Sequence, residues 1–197
     1  MKNYSRRLAL ALFSAVFLFG GLALAGSAGS FLEGQQKALS ALIAKPKSPA
    51  NDKQVAQIFD GLLDYERLAK DSLGSSWAER TDAEKKEFQA LLTKLVQAAY
   101  TKNIRSTLDY KIVIEGSKKA KEGELISTVA RHKSDKRKEA IHINYLVHQI
   151  GGKWRVYDII TEGSSLVKNY KSQFRRIIRK KGFSELLTRM RKKAKAS

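Results

Sequence analysis

The chain has 197 residues, with 38 Lys and Arg against 19 Asp and Glu for a formal net charge of +19, and it holds no Cys. The missing cysteines exclude a disulfide framework, a cysteine-held zinc and thiol catalysis together, and a chain this long buries about 70% of its unfolded surface without such staples. So large an excess of cations draws the protein toward polyanions, whether an anionic bilayer, an acidic partner or nucleic acid.

The first segment reads as an export signal. Lys2, Arg6 and Arg7 precede an uncharged apolar run from Leu8 to Leu24, and Ala23-Leu24-Ala25 offers a small-x-small cut site. The expectation is a signal peptide over 1–25, cleaved near Ala25, followed by a single domain over 26–197 that works in the periplasm. A retained anchor is the alternative, because the run only just reaches the roughly 17–25 residues that span a bilayer. No Cys follows the run, so lipid attachment at a new N-terminus is not expected. Without 1–25 the chain keeps 35 Lys and Arg against 19 acids, a net +16. Export favours lipid head groups or an acidic partner over nucleic acid, and no nucleic-acid partner is expected.

Helical signals come next. Ser30-Phe31-Leu32-Glu33 has the form of a capping box, with Leu32, Leu39, Leu42 and Ile43 as an apolar stripe. Pro46 and Pro49 lie in a connector, and a second helix is expected from Asn51 or Asp52, with Val55, Ile58, Phe59, Leu62 and Leu63 on one face. Thr81-Asp82-Ala83-Glu84 is a second capping box. Phe88, Leu91, Leu92, Leu95, Val96 and Ala99 follow it at three- and four-residue spacing, extended by Tyr100 and Ile104.

From Tyr110 the period changes to two. Tyr110, Ile112 and Ile114 alternate with Lys111 and Val113; Ile141, Ile143, Tyr145 and Val147 alternate with His142, Asn144 and His148. Glu124 to Arg131 and Lys153 to Ile160 complete four strands whose short links predict an antiparallel meander. The helical period returns with Leu166, Val167, Tyr170, Phe174, Ile177 and Ile178, and Gly182 is placed to stop that helix. Phe183, Leu186, Leu187 and Met190 mark a last amphipathic piece before a basic tail. The fold class expected is α+β: an antiparallel sheet of four strands, or slightly more, covered by helices.

Catalytic chemistry finds little support. His132, His142 and His148 are the only histidines, and six residues apart on one strand His142 and His148 stand roughly 20 Å from each other, too far to share a metal. No phosphate loop, Gly-x-Ser-x-Gly or His-Glu-x-x-His motif occurs. Asp158 and Glu162 form the one carboxylate pair suited to acid–base work, and a secreted hydrolase built on them is an alternative; the structural reading is a carboxylate accepting backbone hydrogen bonds at a strand-to-helix corner. No catalytic residue, metal or cofactor is assigned. Tyr100, Ile104, Tyr145, Tyr157, Tyr170 and Phe174 sit where helices and sheet face each other, and spacing alone leaves open whether they fill a core or line a pocket.

Two blocks carry a family resemblance. One runs from Asp64 through Tyr65, Arg67, Leu73 and Gly74 to Trp77, leading into Phe88 and Leu92. The other is Trp154-Arg155-Val156-Tyr157-Asp158-Ile159-Ile160-Thr161-Glu162-Gly163-Ser164-Ser165-Leu166-Val167, followed by Tyr170, Phe174 and Gly182. Together they resemble the periplasmic MlaC-like family, also called toluene-tolerance proteins, over essentially the whole of 26–197. The resemblance implies a soluble phospholipid carrier of an ABC transport system that maintains outer-membrane lipid asymmetry. Its implied partners are an outer-membrane lipoprotein component and an inner-membrane transporter complex, its implied fold a sheet and helices around a hydrophobic cavity, and its only implied ligand a phospholipid. A sibling branch is linked to hopanoids, so another hydrophobic ligand is the alternative within the family. The Lys-rich stretch from Lys118 to Lys138 and the basic tail depart from the family pattern.

The candidate lipid lining is Val96, Tyr100, Ile104, Ile112, Val129, Ile143, Tyr145, Tyr157, Ile159, Leu166, Tyr170 and Phe174, each of which could equally belong to a closed core. Arg175, Arg176 and Arg179, with Lys180 and Lys181, are candidates for contact with a lipid head group or an anionic membrane surface. A basic adaptor that binds an acidic partner or nucleic acid without any pocket is the third reading.

Overall fold

The computed structural model describes residues 27–196. The expected signal segment and its cut site lie outside them. Six α-helices and five strands follow in the order α1 (Ala28–Ile43), α2 (Pro49–Leu62), α3 (Tyr65–Leu73), α4 (Asp82–Asn103), β1 (Tyr110–Lys119), β2 (Glu124–His132), β3 (Ile141–Ile150), β4 (Lys153–Thr161), β5 (Ser164–Ser165), α5 (Leu166–Lys181) and α6 (Phe183–Lys195). Short 3₁₀ segments follow α3 and α4.

Helix ends follow their local chemistry, with two changes from the sequence reading. The Ser27 side chain, not that of Ser30, accepts from the Ser30 N–H and caps α1; Ser30 and Glu33 fall inside the helix, where Glu33 pairs with Lys37 instead. Helix α2 starts at Pro49 rather than Asn51, because Ser48 is the cap and proline's fixed φ suits a first turn. Asn51 then points inward and donates to the carbonyls of Leu42 and Pro46, tying α2 to the end of α1. The Thr81 capping box forms in full, with Thr81 and Glu84 satisfying each other's backbone N–H.

The strands pair antiparallel in chain order. Ile112 faces Ala130, Ile114 faces Thr128, Thr128 faces Ile143, and Tyr145 lies between Ile126 and Ile159. One sheet face therefore carries Ile112, Ile114, Ile126, Thr128, Ile143, Tyr145 and Ile159, since alternate residues share a side. The fifth strand is a two-residue return that pairs with Ile160 and Thr161. It is reached through Glu162 and Gly163, both at positive φ.

The closed part of the interior lies among α3, α4, α5 and α6. Phe88 is fully buried, edge-on to Phe174 at 5.4 Å and 6.1 Å from Phe183. Leu92, Val96, Leu186, Leu187 and Met190 pack in the same core. Replacing Phe88 with Ala removes the ring that joins three helices. We expect Phe88→Ala to cost about 3–5 kcal/mol, read as a lower urea midpoint at unchanged slope.

Candidate functional site

Away from the Phe88 core the helices do not fill the space against the sheet. A cavity of about 240 Å³ lies between the sheet and the helices α1, α2 and the end of α4. Its walls are Leu32, Leu39, Ile58, Phe59 and Leu62 from α1 and α2, Tyr100 and Ile104 from the α4 end, and Ile112, Ile114, Ile143, Tyr145 and Ile159 from the sheet. Gln35, Gln36, Ser40, Thr107, Tyr110, Thr128 and Thr161 supply the polar groups. Among the described residues no charged side chain lines it, so the space suits an uncharged, apolar guest.

Each wall is held by a definite interaction. Phe59 stacks on Tyr100 with 5.0 Å between ring centres, joining α2 to α4. The Arg105 guanidinium donates to the carbonyls of Ile43 and Lys45 and fixes the C-terminal end of α1. At the middle of α1, Gln36 donates to the Ile112 carbonyl at 3.3 Å.

Of the twelve candidate lining residues, the structure brings Tyr100, Ile104, Ile112, Ile143, Tyr145 and Ile159 together around the cavity. The other six stand elsewhere. Val96 is 1% exposed in the closed core, one turn before Tyr100 on α4. Phe174 packs on Phe88, Tyr170 stacks on Phe174 at 5.3 Å, and Leu166 packs against the same core. Val129 follows Thr128 on β2 and so faces the opposite side of the sheet, beside Val113. Tyr157 is displaced by a bulge: Leu146 pairs with Asp158 and Val147 with Val156, which leaves Tyr157 without a partner on β3.

Tyr157 joins a polar cluster instead. The Arg67 guanidinium lies 4.3 Å over its ring, and its hydroxyl donates to the Glu122 carbonyl. Arg67 also pairs with Asp71 at 3.1 Å and with Glu122. The Asp64 carboxylate caps α3 and meets His148 Nε2 at 2.8 Å. The Arg67 hydrogen bond holds the Glu122 carboxyl below the usual carboxylate range. These contacts tie α3 to the β1–β2 turn and to the Val147–Val156 part of the sheet.

The carboxylate pair weighed for hydrolysis is engaged in holding backbone. Asp158 is buried and accepts from the Ser165 hydroxyl at 2.6 Å and from the N–H groups of Ile159 and Val167. Glu162 accepts from the His142 N–H, and its own N–H returns to the His142 carbonyl. Among the described residues no cluster of His, Asp and Glu is arranged to hold a metal. Arg175, Arg176 and Arg179 are exposed on α5, and none of them lines the cavity.

The sequence reading missed the α1 and α2 walls. Leu32 and Leu39, and Ile58, Phe59 and Leu62, were legible as apolar stripes, but a stripe does not say whether its partner is a side chain or a void.

The family model described as MlaC protein matches residues 34–192. A solved structure of a phospholipid-binding protein from Ralstonia solanacearum, in complex with a phospholipid, superposes with a TM-score of 0.73. It is 19% identical, and the match covers 87% of this chain and 98% of that one; at that identity the likeness is one of fold. No curated protein matches the chain.

Desolvation pushes the Tyr145 phenol up from its ordinary value of 10.0 to about 12, and burial raises Tyr100 further. The folded state keeps these phenols protonated where the unfolded chain has begun to lose the proton. Their contribution is therefore complete below pH 10 and is lost as pH rises toward about 12. Tyr145→Phe should lessen that alkaline loss, measured as the pH dependence of the urea midpoint.

Proposed function

We propose that this chain, which belongs to the MlaC family, carries a phospholipid through water with its acyl chains in the cavity between α1, α2 and the sheet. The observation that carries the reading is an apolar, uncharged void on one face of a sheet whose remaining cover is tightly packed. The Ralstonia solanacearum protein of the same fold, described in complex with a phospholipid, supports it.

The physical task is to lower the barrier to desorption. At roughly 0.8 kcal/mol per buried CH₂, exposing about thirty methylenes to water costs on the order of 24 kcal/mol. An apolar lining removes that penalty. The chains are already dry in a bilayer, so exchange between membrane and protein is nearly balanced. Loading and release are then reversible, and docking partners set the direction. No bond is made or broken. In this reading the carrier moves across the periplasm between outer- and inner-membrane components of an ABC transport system, after removal of the 1–25 segment.

A volume of about 240 Å³ falls below the roughly 300–1,000 Å³ usual for ligand pockets. Loading therefore widens the cavity.

Protein purified from cells, extracted with organic solvent and analysed by mass spectrometry should yield phospholipid in stoichiometric amount. Ile159→Trp, which fills the cavity, should lower the lipid retained about tenfold, equivalent to about 1.4 kcal/mol, with the circular dichroism spectrum unchanged. A protein that holds no lipid and takes none from liposomes overturns the reading. A hopanoid in the extract in place of phospholipid would move the assignment to the other branch of ligands.

A further inference from the structure

Helix α5 carries a density of positive charge that the cavity does not use. Seven of its sixteen residues are cations, namely Lys168, Lys171, Arg175, Arg176, Arg179, Lys180 and Lys181, and none is acidic. All seven are exposed. The apolar side of the helix, Leu166, Val167, Tyr170, Phe174, Ile177 and Ile178, is spent on the protein's own core.

The neighbouring helix shows the contrast. On α6, Arg189 pairs with Glu185 and Arg191 pairs with Glu87 from α4. Among the described residues no cation of α5 forms an ion pair with an acid. Lys168, Lys171, Arg175 and Arg179 follow one another at three- and four-residue steps, so they form a stripe along one side of the helix. A helix of 16 residues is about 24 Å long at 1.5 Å per residue, and like charges at this spacing repel. Their mutual cost is relieved when an anionic surface lies against them.

We propose that the exposed face of α5 docks the protein electrostatically on an anionic phospholipid bilayer. The choice of a bilayer over an acidic protein rests on what the face lacks. A protein interface is anchored by buried aromatic or aliphatic side chains. The exposed positions between the cations are Asn169, Ser172 and Gln173, with no such anchor. A bilayer surface asks for none: each Lys or Arg near it contributes about 1 kcal/mol through charge alone. With the apolar side of α5 committed to the core, the contact is peripheral, without insertion, and readily reversed. This goes beyond the carrier reading and does not depend on what fills the cavity.

The test is co-sedimentation of the protein with vesicles of phosphatidylcholine alone and of phosphatidylcholine mixed with phosphatidylglycerol. The protein should sediment with the anionic vesicles only, and added salt should release it. Arg175→Gln, Arg176→Gln and Arg179→Gln combined should weaken this binding about 100-fold, and Gln keeps the helix propensity of the exposed positions. Removing three exposed cations from the end of β1 and the turn after it, Lys118→Gln, Lys119→Gln and Lys121→Gln, should leave most of the binding intact. Equal losses in the two triple variants would overturn the proposal in favour of net charge without a docking face. So would absence of binding to anionic vesicles, the result expected if the face meets an acidic protein. The cavity-filling Ile159→Trp should sediment like the parent protein, so a failure of lipid carriage and a failure of docking are read separately.

Discussion

Phe59 lying flat on Tyr100 marks the place where the solid interior of this protein gives way to empty space. On one side of the pair, α4 meets α5 and α6 through Phe88, Phe174 and Phe183, and aromatic rings fill the volume. On the other side, α1 and α2 stand off the sheet and the same helix ends against a void. A protein interior is normally packed as densely as an organic crystal. Holding walls apart therefore requires ties that do not depend on filling the gap. Arg105 on the carbonyls of Ile43 and Lys45, and Asn51 on those of Leu42 and Pro46, are such ties. They close the interhelix corners with hydrogen bonds and leave part of the apolar faces of α1 and α2 lining the cavity.

Polar and apolar functions are kept apart in the molecule. Among the described residues the cavity walls carry no ionisable group except phenols, and burial raises the pKa of Tyr100 and Tyr145. One group of ion pairs and charge-assisted bonds lies away from the cavity: Arg67 with Asp71 and Glu122, Asp64 with His148, and Asp158 on the first turn of α5. These anchor the closed half of the fold, where α3 and α5 cross the β4 edge. The cations of α5 face water. A guest in the cavity thus touches no charged side chain among the described residues, while the cations of α5 are left to the outside of the protein.

Apart from α3 and the two-residue β5, the elements themselves were legible, and the misreadings have local causes. The strand alternation at Tyr110, Ile112 and Ile114 and at Ile143 and Tyr145 placed these residues on one face. The Thr81 capping box marked the start of α4 correctly. Tyr157 and Ile159, two apart on β4, should by the same rule share a face. The bulge at Tyr157 and Asp158 breaks the rule and turns Tyr157 toward Arg67. On β2 apolar residues occur on both sides, so Val129 and Thr128 were equally plausible as inward residues; only the pairing of Thr128 with Ile114 and Ile143 decides between them. On α4, Val96 and Tyr100 belong to one stripe, yet one is buried in the closed core and the other meets the cavity.

The chain alone determined the order and kind of most of its elements, its excess of cations and its lack of Cys, because those follow from nearest-neighbour spacing, capping and composition. It also carried the two blocks by which its family is legible. Which apolar residues would touch one another, and which would face nothing, was decided by the tertiary structure. The physical reason is that hydrophobic burial has no direction: a Leu or Tyr on a helix stripe gains by leaving water whether a neighbour fills the space beside it or a guest does. Only the distance at which hydrogen bonds and helix crossings hold the facing walls separates the two cases, and that distance is written in no single segment.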